Sequence, residues 1–170
     1  MRKKRPELSL RARALQYLAR REYSRAELHE KLSRYAITDA DFDSDPDSQP
    51  ADSAVDLNTL LDDLEARDWL SDERAAKQWV RAKRNRFGTQ RIVYELRQKG
   101  ISEELIERAL PELKEGESAT VREVWQKKFG VLPIDQHEKA KQMRFLQSRG
   151  FTLGVILKML QSVSESECSP

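Results

Sequence analysis

Basic side chains gather at three places in this chain, each around an aromatic residue. Arg81, Lys83, Arg84, Arg86 and Arg91 surround Phe87-Gly88, with Lys77 one helical turn before them; Arg20, Arg21 and Arg25 flank Tyr23; Lys127 and Lys128 precede Phe129. Guanidinium and ammonium groups at this density suit a polyanion, because each phosphate contact releases condensed counterions and needs no reading of bases. A helix opening after Gly88 would add the partial positive charge of its N-terminus to the cluster. Phe87 could stack on an unpaired base. Its equivalence to Tyr23 favours packing, and it is read as core. The competing reading for all these cations is solvation of exposed helix faces.

Little else has the makings of a reaction centre. His29 and His137 lie among charged residues, without a neighbouring Cys, Ser nucleophile or H-x-x-x-H spacing, and read as surface side chains. Only six glycines are present, and none forms a G-x-x-x-x-G-K-[ST] phosphate loop. Seven Asp fall between Asp39 and Asp56, in a stretch with Pro46 and Pro50. It lacks the Gly and terminal Glu of a calcium loop and the rigid frame of a two-metal centre. The one cysteine, Cys168, has no partner for an intrachain disulfide. The expectation is a protein with no enzymatic activity, cofactor or metal.

The elements that position the basic clusters follow from a recurring signature. Tyr35-Ala36-Ile37-Thr38, Lys99-Gly100-Ile101-Ser102 and Arg149-Gly150-Phe151-Thr152 each have a Leu five residues before the apolar member. A small residue closing one helix, an apolar plug and a hydroxyl cap on the next make a tight helix-to-helix turn. The second and third copies are 50 residues apart and the first two 64 apart. Removing roughly 15 residues of the acidic stretch restores one period, within the range of helical repeats.

Periodicity places the helices. Ala14, Leu15 and Leu18 follow a Ser9 cap, in a helix running to about Glu22. Ser24-Arg25-Ala26-Glu27 is a capping box ahead of Leu28 and Leu32, and Leu57, Leu60, Leu61 and Leu64 mark an amphipathic helix. Ala76, Trp79 and Val80 oppose a face of Lys77, Arg81 and Arg84. Ile92, Val93 and Leu96 form the next core edge, and a helix capped by Ser102 ends at Pro111. Val121, Val124, Trp125 and Phe129, then Met143 and Leu146 behind an Asp135–Glu138 box, then Leu153, Ile156, Leu157 and Leu160 repeat the plan. Trp69, Trp79 and Trp125 fall on apolar faces and are read as structural. The expected fold is all-α, an elongated, curved stack of three tandem three-helix repeats with nine helices in all. Repeat 1 spans 9–70 with an acidic loop at 39–56, repeat 2 spans 71–111 and repeat 3 spans 117–161, ahead of a disordered tail at 162–170.

Composition fits an open stack better than a single globule: 38% of the 170 residues are hydrophobic and 35% charged. No run of about 18 apolar residues occurs, and the basic start leads into no signal-peptide core, so a cytoplasmic monomer with no membrane contact is expected. The net charge of +2 conceals segregation, since the Asp-rich stretch holds no basic residue and the remainder carries +9. That stretch is expected to compete with nucleic acid for the basic ridges.

The residues Tyr23-Ser24-x-x-Glu27-Leu28-x-x-x-Leu32, Trp69-Leu70-x-Asp72-x-Arg74 and Arg84-Asn85-Arg86-Phe87-Gly88, followed by Ile92, Glu95-Leu96 and Lys99-Gly100-Ile101, resemble the RecX family. The likeness spans about 9–160. Two features depart from the family pattern: Ala75 stands where an aromatic is common, and the acidic loop is longer than usual. The resemblance implies a regulator that binds the RecA recombinase and its nucleoprotein filament on single- and double-stranded DNA, lies along the helical groove, and inhibits ATP hydrolysis and strand exchange. The residues alone support only a cationic helical surface, which also fits a nucleic-acid-binding protein acting without RecA.

Overall fold

The computed structural model of the chain describes residues 8–40 and 56–167, and every regular element within them is helical. Eight helices are present among the described residues: α1 (Leu10–Leu18), α2 (Arg25–Ala40), α3 (Leu57–Ala66), α4 (Asp72–Lys83), α5 (Thr89–Gln98), α6 (Glu103–Lys128), α7 (Gln136–Ser148) and α8 (Leu153–Glu167). None is long and apolar enough to cross a membrane. The chain divides into two compact units, Met1–Ala75 and Ala76–Pro170.

In the first unit Ala14, Tyr23, Leu28, Leu32, Leu60, Leu61, Leu64 and Leu70 form the core. The capping box closes in both directions: Glu27 N donates to Ser24 Oγ at 3.2 Å and Ser24 N to Glu27 Oε2 at 3.3 Å. Helix α1 stops at Leu18, short of Glu22, and Leu15 turns to solvent while Leu10, Tyr17 and Leu18 pack on the core. The first copy of the turn signature is not a turn, because α2 runs through Tyr35-Ala36-Ile37-Thr38 to Ala40. The other two copies place Gly100 at φ 71° and Gly150 at φ 88°, a left-handed conformation that the Cβ of Ala36 disfavours. The helix therefore takes in the first residues assigned to the acidic loop, and Asp56 at the loop's far end caps α3 through Asn58 N. Positions 41–55 lie outside the described residues.

The second unit holds two apolar clusters, one per repeat. Ala76, Val80, Ile92, Leu96, Ile101, Ile106 and Leu113 form the first. Val121, Trp125, Leu146, Phe151, Ile156, Met159, Leu160 and Val163 form the second. A single 26-residue helix, α6, serves both, so Pro111 does not end a helix and the described residues hold eight helices where nine were expected. A proline in a helix interior costs about 3 kcal/mol. Here it sits in a helix whose far side buries Leu113, Val121 and Trp125, burial worth about 1.5–3 kcal/mol per large side chain.

Three further expectations are corrected. Helix α8 continues to Glu167 because Val163 is buried, so the tail does not begin at 162. Its core phase is Ile156, Met159, Leu160 and Val163, which leaves Leu153 and Leu157 facing outward. Trp69 is 44% exposed. It follows Asp68, at φ 56°, in the turn after α3, where Leu70 takes the buried position; the guanidinium carbons of Arg67 and Arg11 lie 5.6 and 5.9 Å from its ring centre. Trp125 is buried as expected and its Nε1 donates to Gln142 Oε1 at 2.7 Å, while half-buried Trp79 donates to Glu95 Oε2 at 3.1 Å. His29 and His137 are exposed.

Candidate nucleic-acid interface

Within the unit Ala76–Pro170 the ends of three helices line an open cleft of about 390 Å³. Asn85 and Arg86 come from the turn just past α4, Val124, Lys127 and Lys128 from the end of α6, and Phe145 and Arg149 from the end of α7. Helix C-termini carry partial negative charge, which explains locally why basic residues sit there. That charge does not cancel them. Three helix ends contribute about 1.5 negative charges against four full positive ones, and counting Glu123 beside Lys127 still leaves the cleft cationic.

Arg149 is the best-held of these cations. Its guanidinium carbon lies 5.2 Å from the Phe145 ring centre and 5.3 Å from that of Phe87. Lys128 Nζ lies 5.9 Å from the Phe145 ring. Arg86, Lys128 and Arg149 have no carboxylate partner among the described residues, whereas Lys127 approaches Glu123 at 3.7 Å on an exposed face, a pairing of little energetic weight. Phe87 packs half-buried against its repeat's core and carries Arg91, Lys83 and Arg149 around its ring at 4.7, 5.1 and 5.3 Å. Its place against that core agrees with its reading as a packing residue.

The cleft thus joins Arg86, Lys127 and Lys128 from different repeats and leaves out Lys77, Arg81, Lys83, Arg84 and Arg91. Lys77 and Arg81 are exposed on α4, Arg84 pairs with Glu112 at 2.6 Å, and Arg91 pairs with Glu95 at 3.0 Å while donating to the Ser148 carbonyl at 3.2 Å. Beside it, sharing Asn85, a second cavity of about 170 Å³ is lined by Arg84 with Glu112, Glu117 and Glu123. The turn at 84–87 therefore separates a basic cleft from an acidic one, and Arg84 belongs to the acidic side.

The N-terminus of α5 does not face an anion from outside, contrary to expectation. Gly88 at its cap position has no side chain, and Glu117 of α6 supplies the cap instead, its buried carboxylate accepting from Thr89 N at 2.8 Å. The neighbouring amides are taken as well: Gly88 N donates to Arg149 O at 2.9 Å and Gln90 N to Gly150 O at 3.2 Å. The two turns meet backbone to backbone, which is possible because neither Gly88 nor Gly150 has a Cβ. This contact holds Arg149 at the cleft.

In the unit Met1–Ala75, Arg20 is exposed, Arg21 lies 3.7 Å from the Tyr23 ring centre and pairs with Glu27 at 3.1 Å, and Arg25 bridges to Asp62 at 2.6 Å and Glu65 at 2.7 Å. Arg25 thus ties α2 to α3. No group of three or more His, Cys, Asp or Glu among the described residues is arranged to hold a metal ion.

Comparison with known proteins gives this geometry a family. The family descriptions "RecX, first three-helix domain", "RecX, second three-helix domain" and "RecX, third three-helix domain" match residues 11–43, 71–110 and 115–160. The chain belongs to the RecX family. Among its relatives, a protein of Chromobacterium violaceum called "Regulatory protein RecX" is 40% identical over 159 residues, covering 94% of this chain and 93% of the relative. One of the same description from Herbaspirillum seropedicae is 40% identical over 166 residues and 98% of both chains. The crystal structure of RecX from Lactobacillus salivarius shares the fold at a TM-score of 0.64 with 22% identity, covering 91% of this chain and 94% of that one. Another solved structure, of a regulatory protein RecX, gives a TM-score of 0.68 at 22% identity and covers 90% of this chain and 71% of that one.

Two polar residues of this cleft lie outside the basic clusters legible in the sequence. Arg149 stood in the turn signature just before the small residue that closes the helix, and Asn85 in the Arg84-Asn85-Arg86-Phe87-Gly88 run that carries the family resemblance. Arg149 had one legible signal, its position next to a repeated Gly. Nothing local distinguishes Arg86 from Arg84, which point into opposite clefts.

Proposed function

We propose that this chain regulates homologous recombination and DNA repair by binding RecA and its filaments on DNA, inhibiting ATP hydrolysis and strand exchange. Membership of the RecX family along most of the chain carries this reading, since the relatives matched over almost their full length bear the name of a regulatory protein. The cleft of Arg86, Lys127, Lys128 and Arg149 supplies a means of engaging the nucleic acid of such a filament without base recognition. The protein acts in the cytoplasm as a monomer and does no chemistry of its own.

The test is single-stranded-DNA-dependent ATP hydrolysis by RecA, measured with the protein far below the concentration that coats the DNA. Inhibition that scales with RecA protomers or filament ends is the expected result. A second reading, a helical nucleic-acid binder acting without RecA, draws on the cleft's unpaired cations, which would attract any polyanion. It predicts inhibition only when DNA sites are saturated, and that outcome would refute the first reading.

A further inference from the structure

Resting on the nucleic-acid partner of the reading just given, we infer that the cleft between repeats 2 and 3 seats an unpaired nucleic-acid strand, with Arg149, Arg86 and Lys128 on a phosphodiester and the wall of Val124 and Phe145 against the adjoining base.

The charges argue for the phosphodiester. Four arginines of the same unit are neutralised in place, Arg84 by Glu112, Arg91 by Glu95, Arg97 by Glu103 and Arg108 by Glu104, and those without a carboxylate among the described residues outside the cleft, Arg81, Arg122 and Arg144, do not line it. Arg86, Lys128 and Arg149 come from three separate elements, line one concavity and find no carboxylate among the described residues. Arg149 is also restrained before any ligand arrives, its guanidinium against Phe87 and Phe145 and its carbonyl bound by Gly88 N. A cation already held in position loses less freedom on binding than an extended surface lysine.

The wall argues for the strand being unpaired. A duplex keeps its bases stacked inside and offers phosphates to a concavity of this kind, leaving Val124 and Phe145 unused. A single strand offers phosphate and base together, and a volume of about 390 Å³ lies at the small-ligand end of the range for binding clefts. An acidic protein segment would satisfy the charges too, and the experiment separates that case.

Binding of the full chain to a labelled oligo-dT strand, the same strand carrying abasic sites, and a duplex of equal length is followed by anisotropy across a salt titration, without RecA. Arg149→Gln and Lys128→Gln are each expected to lower the log–log salt slope on the single strand by about 0.7, which amounts to about a fivefold loss of affinity at 0.1 M salt. Arg97→Gln, a paired cation, leaves the slope unchanged. The abasic strand binds more weakly than oligo-dT. Should Arg149→Gln lose helicity, Arg86→Gln takes its place. Unchanged slopes in folded cleft variants, or equal affinity for oligo-dT and the abasic strand, overturn the inference. Cleft variants that bind the strand normally but no longer inhibit RecA overturn it in favour of a protein contact. Wild-type protein that binds the strand through the cleft yet never inhibits RecA upholds the inference and refutes the proposed function.

Discussion

Replacing Gly88 by Ala would set a methyl carbon 2.3 Å from Gly150 O, 2.4 Å from Gly150 C and 2.5 Å from Phe151 N. These are backbone atoms, so no side-chain rotation relieves the overlap. Ordinary contact begins near 3.4 Å, and reaching it requires the two turns to part by roughly 1 Å. That movement stretches the bonds from Gly88 N to Arg149 O, at 2.9 Å, and from Gln90 N to Gly150 O, at 3.2 Å, beyond hydrogen-bonding range. Two such bonds are worth about 1 kcal/mol each, and stranding their buried groups adds about 1 kcal/mol more, for a total of about 3 kcal/mol. At about 4–8 °C per kcal/mol for a unit of this size, Tm should fall by roughly 12–24 °C. Thermal unfolding by circular dichroism reads the shift, and amide exchange reads its location: Gly88 and Gln90 should lose protection while α1 to α3 keep theirs. A folded variant with unchanged Tm and protected Gly88 and Gln90 amides would show that the backbone contact does not hold the repeats together.

The glycine of α6 predicts the opposite sign. Nothing lies within 4 Å of a Cβ at Gly116, so Gly116→Ala should stabilise the helix by about 0.5–1 kcal/mol, and a lower Tm would contradict that open space. Ser24→Ala removes the acceptor for Glu27 N and should cost about 1 kcal/mol in chemical denaturation, with Ser24→Asp restoring most of it; equal losses for both would argue against the cap. Asp63 is held below its ordinary 3.8 chiefly by the hydrogen bond from Arg67, with the charges of Arg67 and Arg11 adding to it and desolvation opposing. A carboxylate whose pKa is lower in the folded state stabilises fully above its ordinary value and loses that contribution as pH falls through the folded one. The acid limb of a stability profile below about pH 4 should therefore be shallower in Asp63→Asn, and identical limbs would refute the pairing. Replacing residues 41–55 by a short Gly-Ser connector removes five Asp and raises net charge from +2 to +7. Single-stranded DNA affinity should rise, most at low salt where screening is weakest, and equal affinities of two folded proteins would reject competition by the acidic stretch.

Local chemistry was enough to determine the helices and most of the core. Leu28, Leu32, Ile92, Leu96 and Leu146 are buried where periodicity placed them, and the caps at Ser9, Ser24, Ser102 and Asp135 form as their side chains dictate, because both depend on residues within a turn of each other. The repeated turn was legible wherever Gly stood in it, and misleading at Ala36, where one Cβ decides between turn and continued helix. Pro111 shows the limit of a local stop signal, since the burial that carries α6 past it involves residues of two different cores. The basic cleft depended more fully on tertiary structure. The sequence determined how many cations the chain has and that they flank repeated aromatics. Some are neutralised by carboxylates near in sequence, Arg91 by Glu95 and Arg21 by Glu27, but others by carboxylates far away in the chain: Glu112 takes Arg84 from 28 residues off and Asp62 and Glu65 take Arg25, while Arg149 is held beside Arg86 and Lys128 where two glycine backbones touch. Charge is a property of each residue, but available charge is a property of the packing.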